Sequence, residues 1–373
     1  MRVIVVGGGI VGSAAAYVAA TLGADVVLVD AGHPGRATSA GAGIVSPWGW
    51  RVEDQEWYAL ICSAARAYPA LVEALGEVGE TALGYRQVGA LALAATPEEQ
   101  RELSRKFGSQ RAAWPEIGEV TELDADQARE LFPPLRPGLS AVHVSGGARV
   151  DGRLISAALR RAGGRAGSRV VAGHAELEVS GGKAAGVTVG GELIEADAVI
   201  AAAGTWTDAF CAPAGVTLGI TPQRGQITHI SLGLTDTSRW PAILPSGNGH
   251  YLLAFDDSRI VAGATREDDA GLDYRVTPGG LAEILDSALA VAPGLSAGTY
   301  LETRIGFRPM GPGLGPVLGN IPGTDGLFAA TGLGASGLTM GPYAGELVAR
   351  AALGLDLPLD IGPFSPVPAL SRQ

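Results

Sequence analysis

From Val3 to Ala24 no charged residue interrupts the chain, yet the apolar positions change character twice within that stretch. Val3 to Val6 is a β-branched run suited to a strand buried on both faces. Gly7, Gly8 and Gly9 break it, and Ile10 to Leu22 is rich in alanine with apolar residues on several faces, which predicts a buried helix. Gly23 stops that helix, and Asp25 to Val29 predicts a second strand closing on Asp30. The stretch has the length of a membrane span. Its central glycines, the lack of a basic run before it and its direct passage into Val26 to Val29 favour a strand, turn and helix instead.

Further along, Thr96-Pro-Glu-Glu99 and Asp124-Ala-Asp-Gln127 have the form of capping boxes, each starting a short helix. Glu53 to about Leu75 reads as mainly helical, with Tyr58, Ile61, Ala65 and Tyr68 along one face as packing residues. After Leu353 the tail carries Pro358, Pro363, Pro366 and Pro368 and is expected to be an extended surface segment. No internal repeat is evident.

Composition narrows the function. A chain of 373 residues, 47% hydrophobic, predicts two domains. The formal charge of -11, with Lys106 and Lys183 the only lysines, argues against a nucleic-acid surface, which needs clustered cations. Cys62 and Cys211 lie far apart, with no partner spacing for a disulfide or a metal site, so a reducing cytoplasm and no metal are expected.

Gly7, Gly9 and Gly12 form G-x-G-x-x-G between strand and helix. The first glycine permits the tight turn, the second lets backbone approach a pyrophosphate, and the third lets helix pack on strand. The helix start, with Ile10 and Val11, would offer amides and dipole to the phosphates. Asp30, followed by Ala31, stands where an acid binds the ribose hydroxyls. FAD and NAD share this cradle.

Two later landmarks point to flavin. Arg36-Ala-Thr-Ser-Ala-Gly-Ala-Gly-Ile44 is a small-residue run, including Thr38, Ser39, Ala42 and Gly43, where backbone can press against a flat ring. Gly332-Leu-Gly-Ala-Ser-Gly-Leu-Thr-Met-Gly341 leads into an apolar helix reaching about Leu353. Amides there, from Gly334, Ala335, Ser336, Gly337, Leu338 and Thr339, would face the flavin N1 and C2 carbonyl, where charge develops on reduction.

Taken with Gly147-Ala-Arg-Val-Asp-Gly152, Ala196-Asp-Ala-Val-Ile-Ala-Ala-Ala-Gly204, Pro222-Gln-Arg-Gly-Gln226 and Gly306-Phe-Arg-Pro309, these segments in this order make the chain resemble the D-amino acid oxidase superfamily over nearly its whole length. Within it the look is of glycine oxidase and of the smaller type of D-amino acid dehydrogenase. The resemblance implies an α/β fold, with a Rossmann-like FAD domain (1–50, 145–220 and 305–373) interleaved with an α+β substrate domain (51–144 and 221–304) on a mainly antiparallel sheet. That sheet should include Gly89 to Ala94, Gln226 to Ile230, His250 to Phe255 and Ile260 to Gly263.

The resemblance also implies non-covalent FAD, with the backbone of Val171 beside the adenine and Ala203, Gly204 and Trp206 touching the cofactor. The arginine of Gly-x-Arg-Pro, Arg308, would grip a substrate carboxylate, and Tyr251 would donate its hydroxyl to it. Neighbours on a strand face opposite ways, so His250 and Tyr251 cannot both face the flavin. Trp48, Trp50 and Ala335 are the other pocket candidates, although a core role is the ordinary one for a tryptophan.

The implied activity is oxidation of the C–N bond of a small, D- or achiral, amino acid by hydride transfer to flavin N5, giving an imine and then an oxo acid and ammonia. Oxygen or another acceptor would reoxidise the enzyme, which is a possible homo-oligomer. N-methyl amino acids and 2-hydroxy acids remain open as substrates, as does a non-catalytic flavin-binding role. Three departures from the family pattern bear on the substrate: Gly334 and Ala335 where relatives often carry a second arginine, Arg304 where dehydrogenase-like members often show tryptophan, and Gly311-Pro-Gly-Leu-Gly315 in place of Thr-Pro-Asp-Gly.

Overall fold

The computed structural model describes residues 1–49, 54–244, 249–313 and 315–366. The first β-branched run forms the strand Arg2–Val6, the alanine-rich segment forms the helix Ile10–Thr21, and the chain returns as the strand Asp25–Asp30. Arg2–Val6 pairs in parallel with Asp25–Asp30 on one side and with Ala198–Ala201 on the other. Arg169–Ala172 extends the sheet beyond Asp25–Asp30, and Leu327–Thr331 beyond Ala198–Ala201. Val317–Asn320 completes six strands as an antiparallel edge.

Helices cover one face of this sheet. The first helix packs against Gly152–Arg165 and Gly337–Ala352, and the long helix Gln55–Glu77 packs against the latter. Small residues set the spacing: a Cβ on Gly345 would stand 2.4 Å from the Val11 carbonyl oxygen. The helices touch almost backbone to backbone, as alanine and glycine allow. Ala175–Ser180, Lys183–Val189 and Glu192–Glu195 form a small antiparallel sheet against the other face, where Leu177, Val187, Val199 and Leu327 are buried together.

A second sheet of eight strands runs in the order Thr299–Met310, Thr221–Ser231, Arg259–Gly263, Tyr251–Ala254, Ala242–Ile243, Ala90–Ala94, Ser140–Val144, Val120–Leu123. It is antiparallel except where Ala242–Ile243 pairs with Ala90–Ala94. The α/β class and the mainly antiparallel second sheet are as the sequence implied. The edge strand Thr299–Met310 was not anticipated, and it runs unbroken through residue 305. Both capping boxes form: Thr96 with Glu99, and Asp124 with Gln127.

The tail corrects an expectation. Ile361 and Phe364 are buried, and Phe364 closes over Gly315, whose Cβ would lie 2.8 Å from the ring. The prolines set an extended path, but two apolar side chains dock it. Pro368 lies outside the described residues. Among the described residues no helix is long and apolar enough to cross a membrane.

Candidate active site

The carboxyl ends of the parallel strands open onto a cleft of about 540 Å3 that runs to the second sheet. Ligands of open α/β sheets bind at this edge. At its floor the turn after Val6 is held by steric necessity. Gly7 has φ of +110°, and a Cβ there would sit 2.3 Å from the Ala202 carbonyl oxygen. A Cβ on Gly12 would lie 1.9 Å from the Gly7 carbonyl oxygen. Only glycine lets this helix begin so close to its strand. The Ile10 amide donates to Thr38 Oγ1 at 2.9 Å, tying the helix start to the small-residue run.

Asp30 ends its strand beneath Gly8, its carboxylate accepting from Arg36 Nη1 at 2.8 Å and from the Gly32 amide at 3.3 Å. Val11, Ala31, Ala42, Gly43 and Ile44 line the same cleft. Gly43, with φ of +92°, lets Val150 approach: a Cβ would lie 1.8 Å from that carbonyl oxygen. Ala203, Gly204 and Trp206 form another wall. Gly204, at φ of +59°, has its carbonyl held by Thr207 at 2.7 Å and Thr331 at 2.9 Å. Opposite, the short turn Gly334–Ser336 leads into the helix Gly337–Ala352, so Gly334 to Thr339 present the amino end of a long helix to the cleft. Thr339 Oγ1 donates to the Ile44 carbonyl at 2.9 Å, and the Tyr68 hydroxyl donates to that of Leu338.

The second sheet supplies the polar end. Arg308 pairs in register with Gln223 on the neighbouring strand, and its Nη1 donates to Gln223 Oε1 at 2.9 Å and to the Thr265 carbonyl at 3.0 Å. Gly225 makes room for the guanidinium: a Cβ there would be 2.7 Å from Nη2. Gly263 does the same for Tyr251, whose hydroxyl would be 2.8 Å from a Cβ. Both side chains line the cleft. Burial lowers the Arg308 pKa; Tyr251 then raises it, and Arg266 lowers it. Burial raises the pKa of Tyr251, against the pull of Arg308 and Arg266. The tyrosine is therefore a neutral hydroxyl donor at neutral pH.

Arg266, His33, Gly173 and His174 line the cleft without having been singled out in the sequence. No local motif marks Arg266, which enters through the pairing of Arg259–Gly263 with Tyr251–Ala254. His33 stacks on Trp206 with ring centroids 4.7 Å apart.

Several expected residues stand elsewhere. Trp48 is 2% exposed within the core, its carbonyl accepting from the Tyr58 hydroxyl at 2.9 Å, and Ser46 and Pro47 line the cleft instead. His250, just ahead of the strand Tyr251–Ala254, does not line the cleft; it faces Glu283 of the helix Pro278–Val291 at 3.3 Å. Val171 is paired with Val29 inside the sheet; the turn after it reaches the cleft through Gly173 and His174. Ser39 lines an adjoining cavity. Gly12 acts from behind, by packing. Trp50 lies outside the described residues.

Residues 2–351 match the family of FAD-dependent oxidoreductases called DAO. The chain belongs to this family. The uncharacterized oxidoreductase YurR of Bacillus subtilis is 44% identical over 369 residues, 99% of each chain. The crystal structure of iminodiacetate oxidase from Chelativorans sp. BNC1 is 45% identical with a TM-score of 0.95, covering 99% of this chain and 100% of that one. That of glycine oxidase from Geobacillus kaustophilus is 28% identical with a TM-score of 0.87, covering 99% and 100%. The protein is an FAD-dependent oxidoreductase, and the glycine turn, where no Cβ would fit at Gly7 or Gly12, with the helix start above it, suits that cofactor.

Among the described residues no group of three His, Cys, Asp or Glu is placed to hold a metal. Cys62 and Cys211 are buried away from the cleft, and burial pushes each thiol up to about 12. Both are therefore protonated at about pH 8, and native protein should resist a thiol reagent there until it is unfolded. Rapid labelling of the folded protein at either position would contradict this burial.

Proposed function

We propose that this protein oxidises the C–N bond next to a carboxylate in a small amino acid, and that its preferred substrate carries a second carboxylate beyond the nitrogen. The single observation that carries this reading is a pair of guanidiniums lining one cleft, Arg308 at its polar end and the exposed Arg266 beside it. The nearby acids are already engaged. Glu267 accepts from Arg224, Gln226 and Thr265, and Asp268 accepts from Gln223 Nε2 at 2.7 Å. Among the described residues no carboxylate lies within ion-pair distance of Arg266 or Arg308. The 45% identity to an enzyme named for iminodiacetate, a dicarboxylic secondary amine, supports the same substrate class.

Bound in the cleft, FAD would supply a two-electron acceptor at N5. Arg308, braced through Nη1, offers its remaining N–H groups to the α-carboxylate, and Tyr251 adds a neutral hydroxyl. Together they aim the Cα hydrogen at the cofactor, and Arg266 holds the second carboxylate. The amine enters neutral. Its lone pair closes a C=N bond as hydride leaves Cα, and water then cleaves the imine to an oxo acid and the smaller amine, or ammonia for a primary substrate. Amides of Gly334 to Thr339 would stabilise the charge that accumulates at the N1 side of the ring. Asp30 and the Gly9–Ile10 turn would hold the ribose and pyrophosphate without a covalent tether, in the interleaved two-domain arrangement described for the sequence.

The test is an anaerobic titration of the flavin band with iminodiacetate, sarcosine, glycine and D-alanine. Iminodiacetate should bleach it at the lowest concentration; a flavin that no amino acid bleaches would leave only a binding protein. Arg266→Ala is expected to raise KM for iminodiacetate about tenfold while glycine changes by less than about twofold. Equal effects on both would remove Arg266 from substrate selection. Tyr251→Phe should lower kcat/KM by about three- to tenfold, the value of one neutral hydrogen bond.

A further inference from the structure

Beside the phosphate-binding turn lies a second cavity, of about 370 Å3, that the proposed reaction does not use. It shares Gly8, Gly9, His33, Arg36, Thr38 and Ala40 with the main cleft but extends from it to Arg153, Arg160 and Arg304, none of which lines that cleft. Four guanidiniums therefore surround one space. Arg36 is paired with Asp30 at 2.8 Å and Arg304 with Glu302 at 2.6 Å. The other two bond only to neutral oxygens. Arg153 Nε donates to the Ser39 carbonyl at 3.1 Å, and Arg160 Nη1 donates to the Gly8 carbonyl at 2.6 Å. Asp151, the acid nearest Arg153 in sequence, is paired with Arg259 at 3.1 Å. Four cations against two carboxylates leave two positive charges unbalanced.

The effect of these arginines is felt beyond the cavity. His229 is 1% exposed, and burial first, then Arg304 and Arg259, with Arg153 adding to them, hold it down at about 3. Glu302 pulls the other way and does not offset them. Paired, planar guanidiniums with two spare charges and a roomy polar cavity suit a tetrahedral dianion better than a carboxylate, which one arginine already satisfies.

We propose that this cavity binds a phosphate-class dianion, either inorganic phosphate or a phosphate monoester, on Arg153, Arg160 and Arg304, separately from the cofactor's pyrophosphate. The pyrophosphate would rest on the Gly9–Ile10 amides, which line the main cleft, whereas Arg153, Arg160 and Arg304 line the second cavity and not that cleft. Because Arg160 also holds the Gly8 carbonyl, an anion drawn onto it braces the turn on which FAD rests.

The experiment uses holoenzyme exchanged into phosphate-free buffer at constant ionic strength. It is titrated with inorganic phosphate and, separately, with glycerol phosphate, and followed by calorimetry and phosphorus NMR line width. Saturable binding of either ligand to the FAD-loaded protein is expected, and the tighter ligand identifies the source of the phosphate. Arg153→Met should weaken it at least about tenfold, and Arg169→Met, an exposed charge on the strand Arg169–Ala172 that does not line the cavity, should leave it unchanged. Arg153 is exposed, so its replacement should not threaten folding, whereas Arg160→Met also tests retention of FAD. The proposal is overturned by holoenzyme that shows no saturable binding, by binding confined to FAD-stripped protein, or by binding indifferent to Arg153→Met.

Discussion

Arg308→Met is expected to lower kcat/KM for the amino acid substrate by about a thousandfold while the purified protein keeps its flavin. Truncating one partner of a buried, hydrogen-bonded charge pair costs roughly 2–5 kcal/mol, much of it from the charge left without a partner. Here the stranded group would be the substrate carboxylate. Gln223 Oε1 and the Thr265 carbonyl would also lose their donor, so part of the loss reflects a less ordered polar end of the cleft. Arg308→Lys separates the two effects. A lysine keeps the charge but cannot reach both acceptors and the carboxylate in one plane, and about a hundredfold loss is expected. Unchanged steady-state kinetics in Arg308→Met would dispose of the carboxylate clamp.

Gly12→Ala should yield protein largely without FAD and of lower stability. The new Cβ would meet the Gly7 carbonyl oxygen at 1.9 Å, and that obstacle is backbone, which no rotamer change can move aside. The helix would have to withdraw from the strand, carrying the Ile10 and Val11 amides away from the phosphates, and overpacking of this kind costs about 1–3 kcal/mol or more. Gly9→Ala supplies the contrast. Its Cβ would meet only Thr38 Oγ1, at 3.2 Å, so the fold should survive while the pyrophosphate loses its close approach. The ratio of flavin to protein absorbance and the apparent Tm of both variants distinguish the cases. A Gly12→Ala protein that purifies fully yellow with unchanged Tm would show that this packing does not govern cofactor binding.

These two predictions differ in how much of their basis can be read along the chain. Gly12 is legible because its constraint is local: turn and helix are contiguous in sequence, and sterics leave few conformations. Arg308 was reached through the Gly-Phe-Arg-Pro motif, but its bracing by Gln223 and Thr265 arises from strand pairing across 85 and 43 residues. The capping boxes at Thr96 and Asp124 formed as read, again because both partners lie within one turn.

By itself the sequence determined the βαβ unit with its glycine turn, the capped helices, the apolar strands and a family pattern that implied FAD. Hydrophobic period and backbone sterics act over a few residues, and that is the range a linear reading covers. Only the tertiary structure decided that Trp48 packs in the core, that His250 turns to Glu283, that Ile361 and Phe364 dock the tail, and that Arg266 shares a cleft with Arg308. It also gathered Arg36, Arg153, Arg160 and Arg304 from three separate segments around one cavity. Each of these depends on strand register and helix packing between distant segments, where moving one residue along a strand reverses the face its side chain occupies.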